Sequence, residues 1–204
     1  QKMTLLDFPG KLACTVFLGG CDFRCPLCHN SDILSMDAEA LLDDTELLAF
    51  LEKRKNLLEG VAITGGEPLM RKDIEDLLKR IKDMGYLVKL DTNGNHPDLL
   101  WRILEGGLVD YVAMDIKNSP ERYAPTIGLP AFDLSKVMVG KNMLLSGSTE
   151  YEFRTTVVKE FHDEDSFTEI GPWIRGAKNY FLQTFVDRDK VMFGGLSAHS
   201  KEDM

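Results

Sequence analysis

Hydrophobic positions along this chain switch repeatedly between two periods. Residues 12–18 (LACTVFL) are a continuous β-prone run, closed by Gly19 and Gly20. Residues 45–58 then place Leu47, Leu48, Leu51 and Leu58 on one helical stripe, with Asp44 or Thr45 as the expected cap. A short apolar strand is predicted at 61–64. The clearest helix is predicted at 71–84, where Ile74, Leu77, Leu78, Ile81 and Met84 share a face and Gly85 supplies a stop. A strand follows at 86–90 and a helix at 97–105, carrying Leu99, Leu100, Ile103 and Leu104. Pro97 suits its first turn, and Gly106 and Gly107 end it. The pattern continues with a strand at 109–116, a helix at 134–145 and a strand at 151–158. A weaker helix at 164–175 is interrupted by Gly171-Pro172, and a last strand covers 180–185.

Six strand–helix units at this spacing imply parallel strands joined by right-handed crossovers. At 204 residues the chain is short for a complete eight-fold barrel, which typically needs ~250. The expected fold is therefore α/β: an open, incomplete (βα)6 TIM-like barrel with a mostly parallel sheet. We expect one domain over 1–204, with a C-terminal tail from about residue 187. No stretch approaches the ~20 continuous apolar residues of a membrane span, so no membrane partner is expected. Residues 1–10 hold no apolar signal core, and the chain opens on Gln1, as if N-terminal residues were missing. A reducing cytoplasm is the expected compartment. The net charge of -9 argues against a broad nucleic-acid footprint, which needs clustered Lys and Arg.

The four cysteines fall at 14, 21, 25 and 28. A disulfide framework would spread its bridges along the chain; this bunching reads as a site. Cys14 lies mid-strand among apolar residues and is expected in the core, not among ligands. Cys21-Asp-Phe-Arg-Cys25-Pro-Leu-Cys28 occupies a loop, 19–30, at the C-terminal end of the first strand. Parallel barrels gather their catalytic groups at that end. Three thiolates within eight residues can serve one metal centre. A [4Fe–4S] cluster commonly takes four cysteines; with three, one iron stays open for an outside ligand. Structural zinc on Cys21, Cys25, Cys28 and His29 is the plainer alternative, although His29 adjoins Cys28 and closes one tetrahedron awkwardly. Inert thiols are a third.

Three more segments end predicted strands at the same rim. Thr64-Gly65-Gly66-Glu67-Pro68 follows the second strand, Asp91-Thr92-Asn93-Gly94 the third, and Met114-Asp115-Ile116-Lys117 ends the fourth. Arg154 lies in the fifth. Each has a bland reading: a glycine turn, a capped turn, a surface ion pair, an exposed strand cation. Four consecutive polar rims are poorly explained by four separate accidents.

Three cysteines at this spacing, followed by His29-Asn30, resemble the signature of the radical S-adenosylmethionine (radical SAM) superfamily. Leu27 stands where that superfamily usually has an aromatic residue. Thr64-Gly65-Gly66-Glu67-Pro68 resembles its GGEP motif, which holds the methionine amino group. The resemblance implies a [4Fe–4S] cluster on Cys21, Cys25 and Cys28, whose open iron chelates S-adenosyl-L-methionine. It implies that Asn30, Thr64, Gly65, Gly66 and Glu67 position that cofactor. Asp91-Thr92-Asn93-Gly94 and the strand ending Asp115-x-Lys117 narrow the likeness to the glycyl-radical-enzyme activases, the subgroup that includes pyruvate formate-lyase activase. In that subgroup, by resemblance, Asp91, Thr92 and Asp115, with the Ala113 carbonyl, hold a monovalent cation beside the methionine carboxylate. Lys117 would face that carboxylate or the partner peptide, and Arg154 the ribose. Thr4-Leu-Leu-Asp-Phe-Pro-Gly10-Lys and Phe181-Leu-Gln-Thr-Phe185 are similar to the activating proteins of anaerobic ribonucleoside-triphosphate reductase. The likeness implies a catalyst that makes a 5′-deoxyadenosyl radical and installs a glycyl radical on a partner enzyme, fed by flavodoxin or ferredoxin. Two alternatives stand beside it: a radical SAM enzyme acting on a small molecule, like 7-carboxy-7-deazaguanine synthase, and a zinc-stabilised binding module without catalysis.

Overall fold

In the computed structural model, residues 1–187, 191–200 and 202–203 are described. Six strands form one sheet: β1 (Ala13–Leu18), β2 (Gly60–Gly65), β3 (Leu87–Thr92), β4 (Tyr111–Asp115), β5 (Glu150–Val157) and β6 (Tyr180–Thr184). They lie in chain order, every neighbouring pair is parallel, and β1 does not pair with β6. The helices between them are α1 (Asp44–Arg54), α2 (Ile74–Asp83), α3 (Pro97–Glu105), a one-turn α4 (Tyr123–Thr126), α5 (Ser135–Ser146) and α6 (Glu164–Trp173). The expected open six-unit barrel is the fold observed. No helix among the described residues is long and apolar enough to cross a membrane.

Burial explains why the strands read as continuous apolar runs. Val61, Ala62 and Ile63 of β2, Val88 and Leu90 of β3 and Val112, Ala113 and Met114 of β4 are fully enclosed, as parallel strands covered on both faces require. The apolar stripe of α2 (Ile74, Leu77, Leu78, Ile81) is equally enclosed. Cys14 is buried in β1, where the sequence put it in the core.

Boundaries shift for identifiable reasons. The cap of α1 is Asp43, not Asp44 or Thr45: its carboxylate accepts from Glu46 N at 2.8 Å while Glu46 Oε2 accepts from Asp43 N at 3.0 Å. Leu58 is buried beyond that helix instead of on its stripe. Helix α2 starts at Ile74, because Arg71 is held outside it in ion pairs with Asp44 and Asp73. In α6, Pro172 sits within the last turn and Asp163 caps the start. The shift that matters for function is at the rim, where β2 runs past its expected end to Gly65 and β3 past its own to Thr92, while β4 ends at Asp115, one residue short of expectation. The registers then set Leu18 beside Gly65, Asp91 beside Ala113, and Asp115 beside Arg154.

Candidate active site

The C-terminal rim of the sheet opens into a cavity of about 210 Å³. Its lining includes Cys21, Cys25 and Cys28, then Asn30, Thr64, Gly65 and Gly66, then Asp91, Thr92, Asp115, Lys117 and Arg154. Of the side chains and glycines expected to hold cluster, cofactor or cation, Glu67 alone is not in that lining. The three cysteines are free thiols, Cys25 buried and the other two half-buried. Burial pushes the Cys21 thiol up to about 12 and Cys25 up to about 11, so taking up metal must release protons.

The cysteine loop is fastened at its root by the glycine pair. Gly66 N donates to Leu18 O at 2.9 Å and Glu67 N to Gly20 O at 2.7 Å. Gly65 has φ of +127°, and a Cβ there would meet Leu18 O at 2.2 Å. A Cβ on Gly66 would meet Gly20 O at 2.0 Å. The glycines therefore let two backbones touch, which composition alone cannot distinguish from offering polar groups to a ligand. Asn30 Nδ2 donates to Gly65 O at 2.9 Å, tying the far end of the cysteine loop to the same turn.

Glu67 is 1% exposed and knots two rims together. Its Oε1 accepts from Leu69 N at 3.0 Å and from the Thr92 hydroxyl at 2.9 Å, and its Oε2 from Asn93 N at 2.6 Å. Burial pushes its carboxyl up to about 7 against those three donors. All three of these donors belong to the protein, and Glu67 does not line the cavity.

At the next two rims the structure groups charges. Arg154 lies between the two aspartates, donating to Asp91 Oδ2 at 3.3 Å and to Asp115 Oδ1 at 3.0 and 3.1 Å. Lys117 Nζ donates to Asp115 Oδ2 at 2.8 Å, and Lys89 Nζ to Asp91 Oδ1 at 2.5 Å. Burial raises the Asp115 carboxyl, but Lys117 and Arg154 outweigh it and hold the group down at about 2.

Sequence reasoning missed several groups that complete this site. Asp22, next to the first cysteine, accepts from Asn93 Nδ2 at 2.8 Å and Asn95 Nδ2 at 2.7 Å, and lies 3.1 Å from His96 Nε2. Burial opposes its charge, yet those neighbours bring it down to about 2. Lys89 (1% exposed) and Glu152 (8%) form the floor beneath Asp91 and Arg154. A signal existed: Lys89 and Asp91, like Glu152 and Arg154, are two apart on a strand and share a face. Gln183 of β6 and Thr156 of β5 also line the cavity.

The donor chemistry fits an iron–sulfur cluster. Among the described residues no three His, Cys, Asp or Glu side chains are grouped to hold a single metal ion. A [4Fe–4S] cluster can take one thiolate on each of three irons and leave the fourth open, which three separated thiols beside an open cavity can provide.

The radical SAM superfamily profile matches residues 15–148, more than half of the chain. Over 196 residues the chain is 28% identical to a protein of Methanocaldococcus jannaschii named as a glycyl-radical enzyme activating enzyme, covering 92% of this chain and 78% of that one. It is 34% identical to a pyruvate formate-lyase-activating enzyme of Clostridium pasteurianum, over 58% of this chain and 50% of the relative. It is 33% identical to a 7-carboxy-7-deazaguanine synthase of Rickettsia prowazekii, over 79% of this chain and 66% of the relative. Among solved structures, Streptococcus suis SuiB bound to S-adenosylmethionine superposes with a TM-score of 0.69 at 12% identity, covering 88% of this chain and 42% of SuiB; that likeness is one of fold. With its cysteine loop, its rim of strand ends and this match, the chain belongs to the radical SAM superfamily.

Proposed function

We propose that this chain is a glycyl-radical-enzyme activase. The reading is carried by one observation: three free thiols, the Gly65–Gly66 turn and a ring of balanced charges meet at one open rim. The names of the M. jannaschii and C. pasteurianum relatives support the activase class.

Cys21, Cys25 and Cys28 would hold a [4Fe–4S] cluster. When bound, that group supplies the electron that cleaves S-adenosylmethionine to methionine and a 5′-deoxyadenosyl radical. The chain's own residues bind and orient. Gly65, Gly66 and Asn30 fix the turn beside the thiols, and Glu67 and Thr92 hold that turn to β3. Asp91, Asp115, Lys117 and Arg154 present a polar wall of zero net charge to the cofactor's zwitterionic end. Thr64 lines the same wall. Phe23, Leu27 and Leu34 give the cavity a buried apolar wall beside the thiols, which would limit water there. β1 and β6 do not pair to close the barrel, so its C-terminal mouth leaves room for a glycine-bearing segment of a partner enzyme. A flavodoxin or ferredoxin would deliver the electron, and a cytoplasmic location follows from that chemistry.

The test is anaerobic reconstitution of the chain. About four irons, 5′-deoxyadenosine production under reduction, and a glycyl radical signal on a candidate anaerobic ribonucleoside-triphosphate reductase are expected. Cys25→Ala should abolish the first two. Cofactor cleavage without any protein radical on such partners would favour a small-molecule substrate, which the 7-carboxy-7-deazaguanine synthase relative brings forward. Colourless protein with stoichiometric zinc would sink both.

A further inference from the structure

By resemblance, a monovalent cation is expected at Asp91, Thr92 and Asp115, with the Ala113 carbonyl. In the structure that place is taken. Arg154 bridges the two aspartates, and each of the four carboxylate oxygens already has a cationic partner: Lys89 on Asp91 Oδ1, Arg154 on Asp91 Oδ2 and Asp115 Oδ1, Lys117 on Asp115 Oδ2. The Thr92 hydroxyl gives its proton to Glu67 and accepts from Gly94 N at 3.1 Å. Glu152 adds a third carboxylate beneath, 3.9 Å from Lys89 and 4.0 Å from Arg154. Three carboxylates thus face Lys89, Lys117 and Arg154. The group is electrically complete, and a fourth cation would sit against like charges at short range.

We propose that Arg154 is a built-in counter-cation: its guanidinium replaces the monovalent ion, so the cofactor end of this cleft works without potassium or sodium. A planar fork suits the task, because it reaches one carboxylate with Nη1 and the other with Nε and Nη2 at once. A free ion has to be bound from solution; a side chain on β5 is positioned by the register that sets it beside Asp115. Arg154 is thereby a positioning residue for the charge pattern that receives the cofactor.

The experiment compares the full chain in potassium, sodium and choline chlorides at one ionic strength. For the reconstituted wild type, S-adenosylmethionine affinity should agree within about twofold across the three salts, under 0.5 kcal/mol. Arg154→Gln leaves two carboxylates facing each other and should acquire a saturable potassium or sodium dependence of about tenfold or more, seen also in its thermal midpoint without cofactor. Arg154→Lys keeps a charge and should stay insensitive. The thallium-205 resonance should show no saturable site on wild type and gain one in Arg154→Gln. The proposal fails if wild type loses affinity tenfold in choline, if wild type binds thallium saturably, or if Arg154→Gln gains no ion dependence. The binding arm rests on the cofactor reading of the cleft. The thallium and thermal arms read the cation seat alone, so failure of one reading is distinguishable from failure of the other; should Arg154→Gln not fold, wild type and Arg154→Lys still decide.

Discussion

Glu67 shows how a single side chain can be functional without touching a ligand. Its carboxylate receives three donors, two on Oε1 and one on Oε2. Glutamine keeps the acceptor at Oε1 but turns a second donor toward Asn93 N, which now approaches at 2.6 Å. Glu67→Gln should therefore cost about 1–3 kcal/mol in a denaturant melt of the apoprotein near neutral pH, the range for a buried donor left unsatisfied. The pH dependence has a definite sign. The group's native value, about 7, lies above its ordinary 4.5, so the native state holds the proton more tightly. Its contribution is complete below about pH 4.5 and is lost as pH rises through about 7. The wild-type melt should weaken over that window, and the glutamine variant should lack that part of the slope; equal slopes would show Glu67 to be ionised throughout. Gly66→Ala is a harsher change, since its Cβ meets backbone, Gly20 O at 2.0 Å, which no rotamer relieves. About 1–3 kcal/mol of overpacking is expected, and the cysteine loop should retain less iron after a desalting step.

At the scale of elements, the strand ends carry the site, and they are where the sequence misled. Asp91, Asn93 and Gly94 are turn formers, which stops a predicted strand at Leu90. The ladder continues because Asp91 pairs with Ala113 while Lys89 and Arg154 neutralise its charge. Arg154 could be placed on its strand from the sequence, but its seat between two aspartates depends on a register that one strand cannot reveal. The cysteine loop was legible from spacing alone, whereas its anchor at Asp22 was not: the partners Asn93, Asn95 and His96 lie about seventy residues on. This anchor joins the loop after β1 to the loop after β3. Asp22→Ala should leave the fold intact, as judged by far-ultraviolet dichroism. It should also speed iron loss to a chelator several-fold, because two amides lose their acceptor and the loop loses its tie. Unchanged iron release would assign the loop's rigidity to the Gly65–Asn30 contact instead.

For the whole molecule the question is what closes an open sheet. At the bottom, Phe8 from the Asp-Phe-Pro-Gly segment is buried against the start of β2, where a Cβ on Gly60 would lie 2.8 Å from its ring. That segment, read from the sequence only as a mark of kinship, is a plug. At the top, the cysteine loop reaches across to the chain beyond β6. The His29 ring stacks on Phe185 at 5.3 Å and its Nε2 is 2.7 Å from Val186 O. Met192 N donates to Cys28 O and Phe193 N to Pro26 O, each at 3.1 Å. The tail is also held from the other side, where Lys159 N donates to Ser197 O and His199 meets His162 O. β6 itself is mostly exposed and, among the described residues, pairs only with β5, so these loop contacts brace it where a seventh strand would otherwise stand. His29→Ala removes the stack, worth about 0.5–1.5 kcal/mol, and one hydrogen bond. Amide exchange in 180–186 and 191–193 should then quicken severalfold while the enclosed strands β2 to β4 keep their protection. The contrast between the two regions is the measurement. A uniform rise would mean global destabilisation, and no rise at all would mean that β6 is braced through residues 197–199 and not through the cysteine loop.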